Sequence, residues 1–233
     1  MNIVFILLSF IPIFLILYYI YINDKMEKEP FKLLTIVFIG GIISIFLTKF
    51  LANKYQNYIP FLIEENPNLE SYKIFLISFG EIGLIEELSK FIILFILIWK
   101  NKNFNYIYDG IVYAVFISLG FAAIENIYYL WDGDFNTLLN RVIFTTPAHA
   151  SFGIIMGYYY GYAKYYFHMK YQSNAIKSFY SGLFFVILYH GLFDYFLSFD
   201  NKYNRIIFVI FSIYIFSNAI YKLKKIENLK MTW

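Results

Sequence analysis

The chain has 233 residues, 60% of them hydrophobic, 24% aromatic and only 15% charged, and its mean hydropathy is +0.58. A soluble domain of this length has no interior large enough for so much apolar surface, so the composition specifies a polytopic membrane protein. The net charge of +3 is scattered and offers no basic face for nucleic acid, and the absence of cysteine excludes disulfides, thiolate nucleophiles and Cys-ligated metals.

Apolar runs of about 20 residues predict an all-α transmembrane bundle. Seven spans are expected, at 3–22, 33–52, 73–99, 106–131, 141–163, 177–198 and 205–222. The first is too long for a signal-peptide core and lacks a basic leader and a small-residue cleavage site, so it is expected to stay as an anchor. The third carries Gly80 and Gly83, where a break is expected. The connections are short and polar, and none folds alone. One integral-membrane domain over 1–233 is therefore expected, with its motif-bearing core at 73–198.

Lysine and arginine in the connections set the expected orientation. Lys25, Lys28, Lys32, Lys100, Lys102, Lys164, Lys170, Lys177, Lys222, Lys224, Lys225 and Lys230 fall on one side. Lys54, Lys73, Arg141, Lys202 and Arg205 fall on the other. The bias places the N-terminus outside and the C-terminus in the cytoplasm.

Glu86-Glu87-Leu88-Ser89-Lys90 interrupts the third span. Each charge at mid-bilayer costs roughly 2.5–3.5 kcal/mol on insertion scales, which makes the cluster a functional-site hypothesis. Lys90 follows Glu86 by four residues and Glu87 by three, so it reaches back to either. The two carboxylates project about 100° apart, so one can face a cavity while the other holds Lys90. That arrangement suits a general base beside its positioning partner. Span four adds Glu125 and Asn126, span five His149, and span six His190 with Asp194 at i, i+4, where the carboxylate can orient the imidazole. Because spans alternate direction, Glu125, His149, His190 and Asp194 fall at one depth, about 6–14 Å from the same membrane face. Glu86 and Glu87 lie somewhat deeper. Gly153, Gly157 and Gly161 continue the His149 side of span five and signal close helix packing.

The plain alternatives are structural. Glu86–Lys90 reads equally as a buried ion pair, Glu125 as a packing partner through Asn126 or Tyr128, and His190–Asp194 as a satisfied polar pair. His149 alone reads as a core histidine, His168 as a surface residue, and Asp109 as a cap on span four. Co-occurrence at one depth favours the functional reading. A proton or cation relay in a carrier uses the same residue types, although neither an inverted repeat nor paired broken helices are evident.

The ordered set E-E-x-x-K (Glu86, Glu87, Lys90), F-x-x-x-E (Phe121, Glu125), a span-five histidine (His149) and H-x-x-x-D (His190, Asp194) resembles the PrsW family of intramembrane proteases. Tyr108 to Tyr113 and Gly120 to Ala123 also resemble that family's fourth span, and the likeness covers roughly 81–194. The wider superfamily, with CAAX prenyl endopeptidases and bacteriocin-processing relatives, typically shows E-E-x-x-x-R and F-x-x-x-H. Lys90 and Glu125 depart from that pattern, and a prenyl-protein endopeptidase is the alternative reading.

The resemblance implies hydrolysis of membrane-associated peptides, with a single-span anti-sigma factor as the kind of substrate the family first cuts. It implies Glu86, Glu87, Glu125, His149, His190 and Asp194 as catalytic residues, supported by Lys90 and Asn126. Two mechanisms stay open. Glu125, His149 and His190 are a candidate zinc set, although no H-E-x-x-H occurs; a metal-free glutamate mechanism with a histidine-lined oxyanion site fits as well.

Overall fold

The computed structural model describes residues 2–57, 69–227, 229 and 232. Most of the 54–71 connection, and Lys230 of the charge count, lie outside the described residues. The described chain is all-helical. Helix α1 (Ile3–Ile22) is followed by α2 (Phe31–Gln56). A long rod comes next, built from α3 (Leu69–Phe75), a π-helical stretch (Leu76–Glu86) and α4 (Glu87–Ile98). Helix α5 (Ile107–Leu130) leads to the short α6 (Phe135–Asn140), a π turn (Arg141–Thr145) and α7 (Thr146–His168). Helices α8 (Gln172–Leu197) and α9 (Lys202–Glu227) complete the bundle.

Among the described residues, five helices, α1, α2, α5, α8 and α9, are long and apolar enough to cross a membrane. The two other expected spans differ for physical reasons. The rod 69–98 is divided by its π stretch, which contains both expected break points, Gly80 and Gly83. Helix α7 is 23 residues long but rich in Tyr and Gly, which lowers its hydropathy without shortening it.

Helix α5 is the hub, 89% buried over its most apolar window where α1 is 22% buried. It packs against α1, α2, α4 and α7, and α8 lies between α7 and the π stretch. The glycine signal in the sequence accounts for the close contact between α5 and α7. A Cβ on Gly157 would lie 2.4 Å from the Gly110 carbonyl oxygen, and one on Gly110 2.7 Å from the Gly157 oxygen. Glycine at both positions lets the α5 and α7 backbones touch, as small residues do in membrane bundles. The ridge packs within the chain, and His149 points inward with it, 1% exposed.

The π stretch has its own cause. The Tyr55 hydroxyl donates to the Leu76 carbonyl at 3.0 Å, inserting a side chain where the wide turns begin. Gly83 then presses against α8, where a Cβ would meet the Ile187 oxygen at 2.9 Å and the Gly191 nitrogen at 3.0 Å. Wide turns of this kind frequently mark functional sites. This one ends at Glu86.

Candidate active site

The end of the π stretch delivers Glu86 and Glu87 to a junction of four helices. Lys90, one turn on, has its ammonium 2.7 Å from Glu87 Oε1 and 3.5 Å from Glu86 Oε2. It also sits over the Phe121 ring, 4.1 Å from the centroid, so α5 supplies a cation–π contact as well. The same Glu87 oxygen is 2.7 Å from His190 Nδ1. The other ring nitrogen, Nε2, lies 3.1 Å from Asp194 Oδ2 and 3.9 Å from Glu86 Oε2. The i, i+4 spacing of His190 and Asp194 on α8 makes the first of these contacts local, while the stacked Phe152 ring at 4.7 Å fixes the imidazole plane.

His149 approaches from α7, its ring centroid 5.3 Å from that of His190. Its Nε2 is 2.6 Å from Glu125 Oε2, and the Lys90 ammonium reaches its Nδ1 at 3.5 Å. Ser118 donates to the His149 carbonyl at 2.6 Å, tying this turn of α7 to α5. Glu125 therefore bonds to the histidine rather than to Asn126 or Tyr128.

All six expected site residues and both expected supporting residues meet here. The sequence reading missed Arg141, counted only as a loop charge. Its guanidinium donates to Glu125 Oε2 at 3.2 Å and to Asn126 Oδ1 at 2.6 Å. Asn126 in turn donates to Thr146 Oγ1 at 3.3 Å and to the Ser9 carbonyl at 3.2 Å. Arg141 opens span five on the same face as Glu125, so the depth comparison applied to the histidines was the signal available for it. His168 is exposed as expected. Asp109 caps α5, its Oδ2 accepting from the Asn105 and Tyr106 amides at 2.9 and 2.7 Å, far from this cluster in the chain direction.

The two glutamates differ in access. Glu87 is 1% exposed and holds Lys90 and His190, whereas Glu86 is 12% exposed and lines a cleft of about 430 Å³. Glu125, Arg141, His149, His190 and Asp194 line the same cleft. Glu86 Oε2 and Glu87 Oε2 are themselves buried and close no hydrogen bond, and Glu86 Oε2 has only the Lys90 ammonium at 3.5 Å and His190 Nε2 at 3.9 Å beside it. Such orphaned oxygens are costly unless a ligand completes them.

The donor set suits a metal. Glu87, His149 and His190 each offer a ligand atom, all within 4.8 Å of one another. Two imidazoles and a carboxylate form a familiar hydrolytic zinc set. Glu87 thus joins the histidines where the sequence suggested Glu125, and Glu125 stands behind His149 as its hydrogen-bond partner. Metal-bound histidines commonly carry a carboxylate in that position.

The family model described as PrsW family intramembrane metalloprotease matches residues 29–220. The chain belongs to the PrsW family. The Protease PrsW of Oceanobacillus iheyensis is 35% identical over 214 residues, covering 92% of each chain. That of Clostridioides difficile is 32% identical over 231 residues, with 95% of this chain and 91% of the relative covered. That of Bacillus subtilis is 30% identical over 217 residues, covering 93% and 92%. No solved structure matches. The PrsW assignment makes the chain a multi-pass membrane endopeptidase acting on membrane-associated substrates, and it does not favour the carrier or the prenyl endopeptidase.

Proposed function

We propose that Glu86 is the general base of this intramembrane protease and that Glu87, Lys90, His190 and Asp194 form the frame that positions it. The observation that carries this reading is the convergence of four helices on the two imidazoles, with Glu86, the more exposed of the two glutamates, lining the cleft. The Glu86 carboxylate accepts a proton from a water in that cleft while the water oxygen attacks the peptide carbonyl carbon, and it returns that proton to the amide nitrogen as the C–N bond breaks. Glu87 and Lys90 compensate each other's charge, so Lys90 does not quench the base. Arg141, through Glu125, holds His149 in the wall of the cleft. His190, steered by Asp194, presents its ring on the opposite side.

Glu87, His149 and His190 are the residues that would hold zinc, with Glu125 and Asp194 as outer partners. The ion would supply Lewis-acid polarisation of the carbonyl and acidification of water. The helices that carry the site, α4, α5, α7 and α8, pack with α1, α2 and α9 in one bundle, which supports one domain over 1–233.

The seven-span count is supported by two further rods, 69–98 and α7, that are long enough to cross beside the five apolar helices. The lysine bias then puts the cleft toward the extracytoplasmic side, with the N-terminus outside and the C-terminus in the cytoplasm. An opening there suits the first cut of a single-span anti-sigma factor.

Purified protein in detergent, incubated with single-span reporter substrates, tests the assignment. Wild type is expected to cut and Glu86→Gln to fold but not cut. Cleavage that survives Glu86→Gln would sink the general-base role.

A further inference from the structure

At the other end of the bundle, the connection between α1 and α2 folds back onto the start of α5. Asp24 and Glu29 come from that connection and Asp109 from the first turn of α5. Each offers a carboxylate oxygen within 4.8 Å of the other two. Their exposures are 1%, 4% and 0%. Glu29 accepts from the Tyr113 hydroxyl, and one oxygen of Asp109 is used by the helix cap. Asp109 Oδ1 and both oxygens of Asp24 remain buried without a hydrogen-bond partner. The Met26 and Glu27 amides lie beside Asp24 but close no hydrogen bond to it.

Among the described residues, no Lys or Arg nitrogen pairs with any of the three carboxylates. Lys28 acts on Asp24 only from a distance, because its ammonium is committed to the carbonyls of Tyr21, Ile22 and Asp24 at 2.6, 2.9 and 2.5 Å. Lys25 is paired with Glu227 at 2.7 Å.

We propose that Asp24, Glu29 and Asp109 bind a hard divalent cation, calcium or magnesium, at a site separate from the hydrolytic centre. Oxygen-only donors select such ions over zinc, which favours the imidazoles at the other end. A doubly charged ion offsets most of the three carboxylate charges and gives the orphaned oxygens a partner. Three carboxylate oxygens within 4.8 Å of one another fit inside the coordination sphere of calcium, which takes ligands at about 2.4 Å. Magnesium demands a tighter set. Bound there, the ion ties the α1–α2 connection to the head of the central helix.

The test uses full-length protein in detergent, stripped with EDTA and titrated separately with calcium and with magnesium. Thermal unfolding and equilibrium ion binding are read in parallel. Wild type is expected to melt at progressively higher temperature as either ion is added, as linkage requires. Asp24→Asn should lose that rise and bind about tenfold or more weakly, since ligand charge sets affinity. In EDTA the same variant should melt no lower than wild type, because one repelling charge is gone. If Asp24→Asn does not fold, Glu29→Gln carries the same comparison. His149→Ala should keep the rise. The proposal is overturned by an absent rise with both ions, by a rise that persists in Asp24→Asn, by one that vanishes in His149→Ala, or by Asp24→Asn melting far below wild type in EDTA.

Discussion

Two groups of buried carboxylates hang on the same helix, Glu125 near one end of α5 and Asp109 near the other, roughly 24 Å apart at ~1.5 Å per residue. Around Glu125, each acid meets a positive or imidazole partner, whether Lys90, Arg141, His149 or His190, and the group opens on a cleft. Around Asp109 the acids meet one another, two backbone amides and a tyrosine, and are closed off. Burial alone therefore does not mark chemistry. Mixed charge, imidazole and an opening mark the proposed hydrolytic centre, whereas oxygen donors without a counter-charge mark a place for an ion.

Four experiments break or sharpen this contrast. The largest effect is expected from Glu86→Gln, which should lower cleavage by roughly 10²–10⁴-fold, as loss of a general base does, with the melting temperature little changed. An equal loss in Asp24→Asn would erase the distinction between the two ends. Chelation followed by zinc should abolish and then restore cleavage in wild type; in His149→Ala, zinc should restore nothing. Persistence of full activity after exhaustive chelation, with no metal by elemental analysis, would leave the glutamate mechanism standing alone.

Arg141→Met should destabilise the protein by about 3 kcal/mol, because it leaves the Glu125 carboxylate buried beside a single imidazole. Adding Glu125→Gln should recover much of that stability but not the activity. A double variant as unstable as the single one would show that Arg141 acts through packing instead. The smallest of the four is Gly157→Ala, midway in α7. Its added methyl meets the Gly110 backbone and should cost about 1–3 kcal/mol in unfolding measurements while leaving the residual rate per folded molecule near wild type. A rate that falls with stability intact would show that the α5–α7 seam sets the geometry of the cleft.

The residues around Glu86 were legible in the sequence because charges inside apolar runs are energetically conspicuous, and alternating span direction brought Glu125, His149, His190 and Asp194 to one level. The helix ends of α1 and α5 were legible for the same reason, since the hydropathy change there is abrupt. Arg141 escaped because a cation at the end of a span reads as an orientation signal, and only its contact with Glu125 reveals otherwise. Asp24 and Glu29 escaped because carboxylates in a short polar loop have no reason to be buried until the loop folds over Asp109. Glu87 rather than Glu125 beside the two histidines depended on side-chain reach across helices, which helical periodicity does not encode. Gly80 and Gly83 announced an irregularity, but not that the helix would widen rather than stop.

That widening has a consequence for chain length. Removing one residue from a regular helix swings everything beyond it by about 100° and would turn Glu86 away from His190. Between 76 and 86 the wide turns already carry an extra residue relative to an α-helix, so a single deletion there can relax to ordinary winding and leave both ends of the rod facing as before. Within the rod 69–98, this stretch can lose a residue and still keep Glu86 and Glu87 facing the histidines.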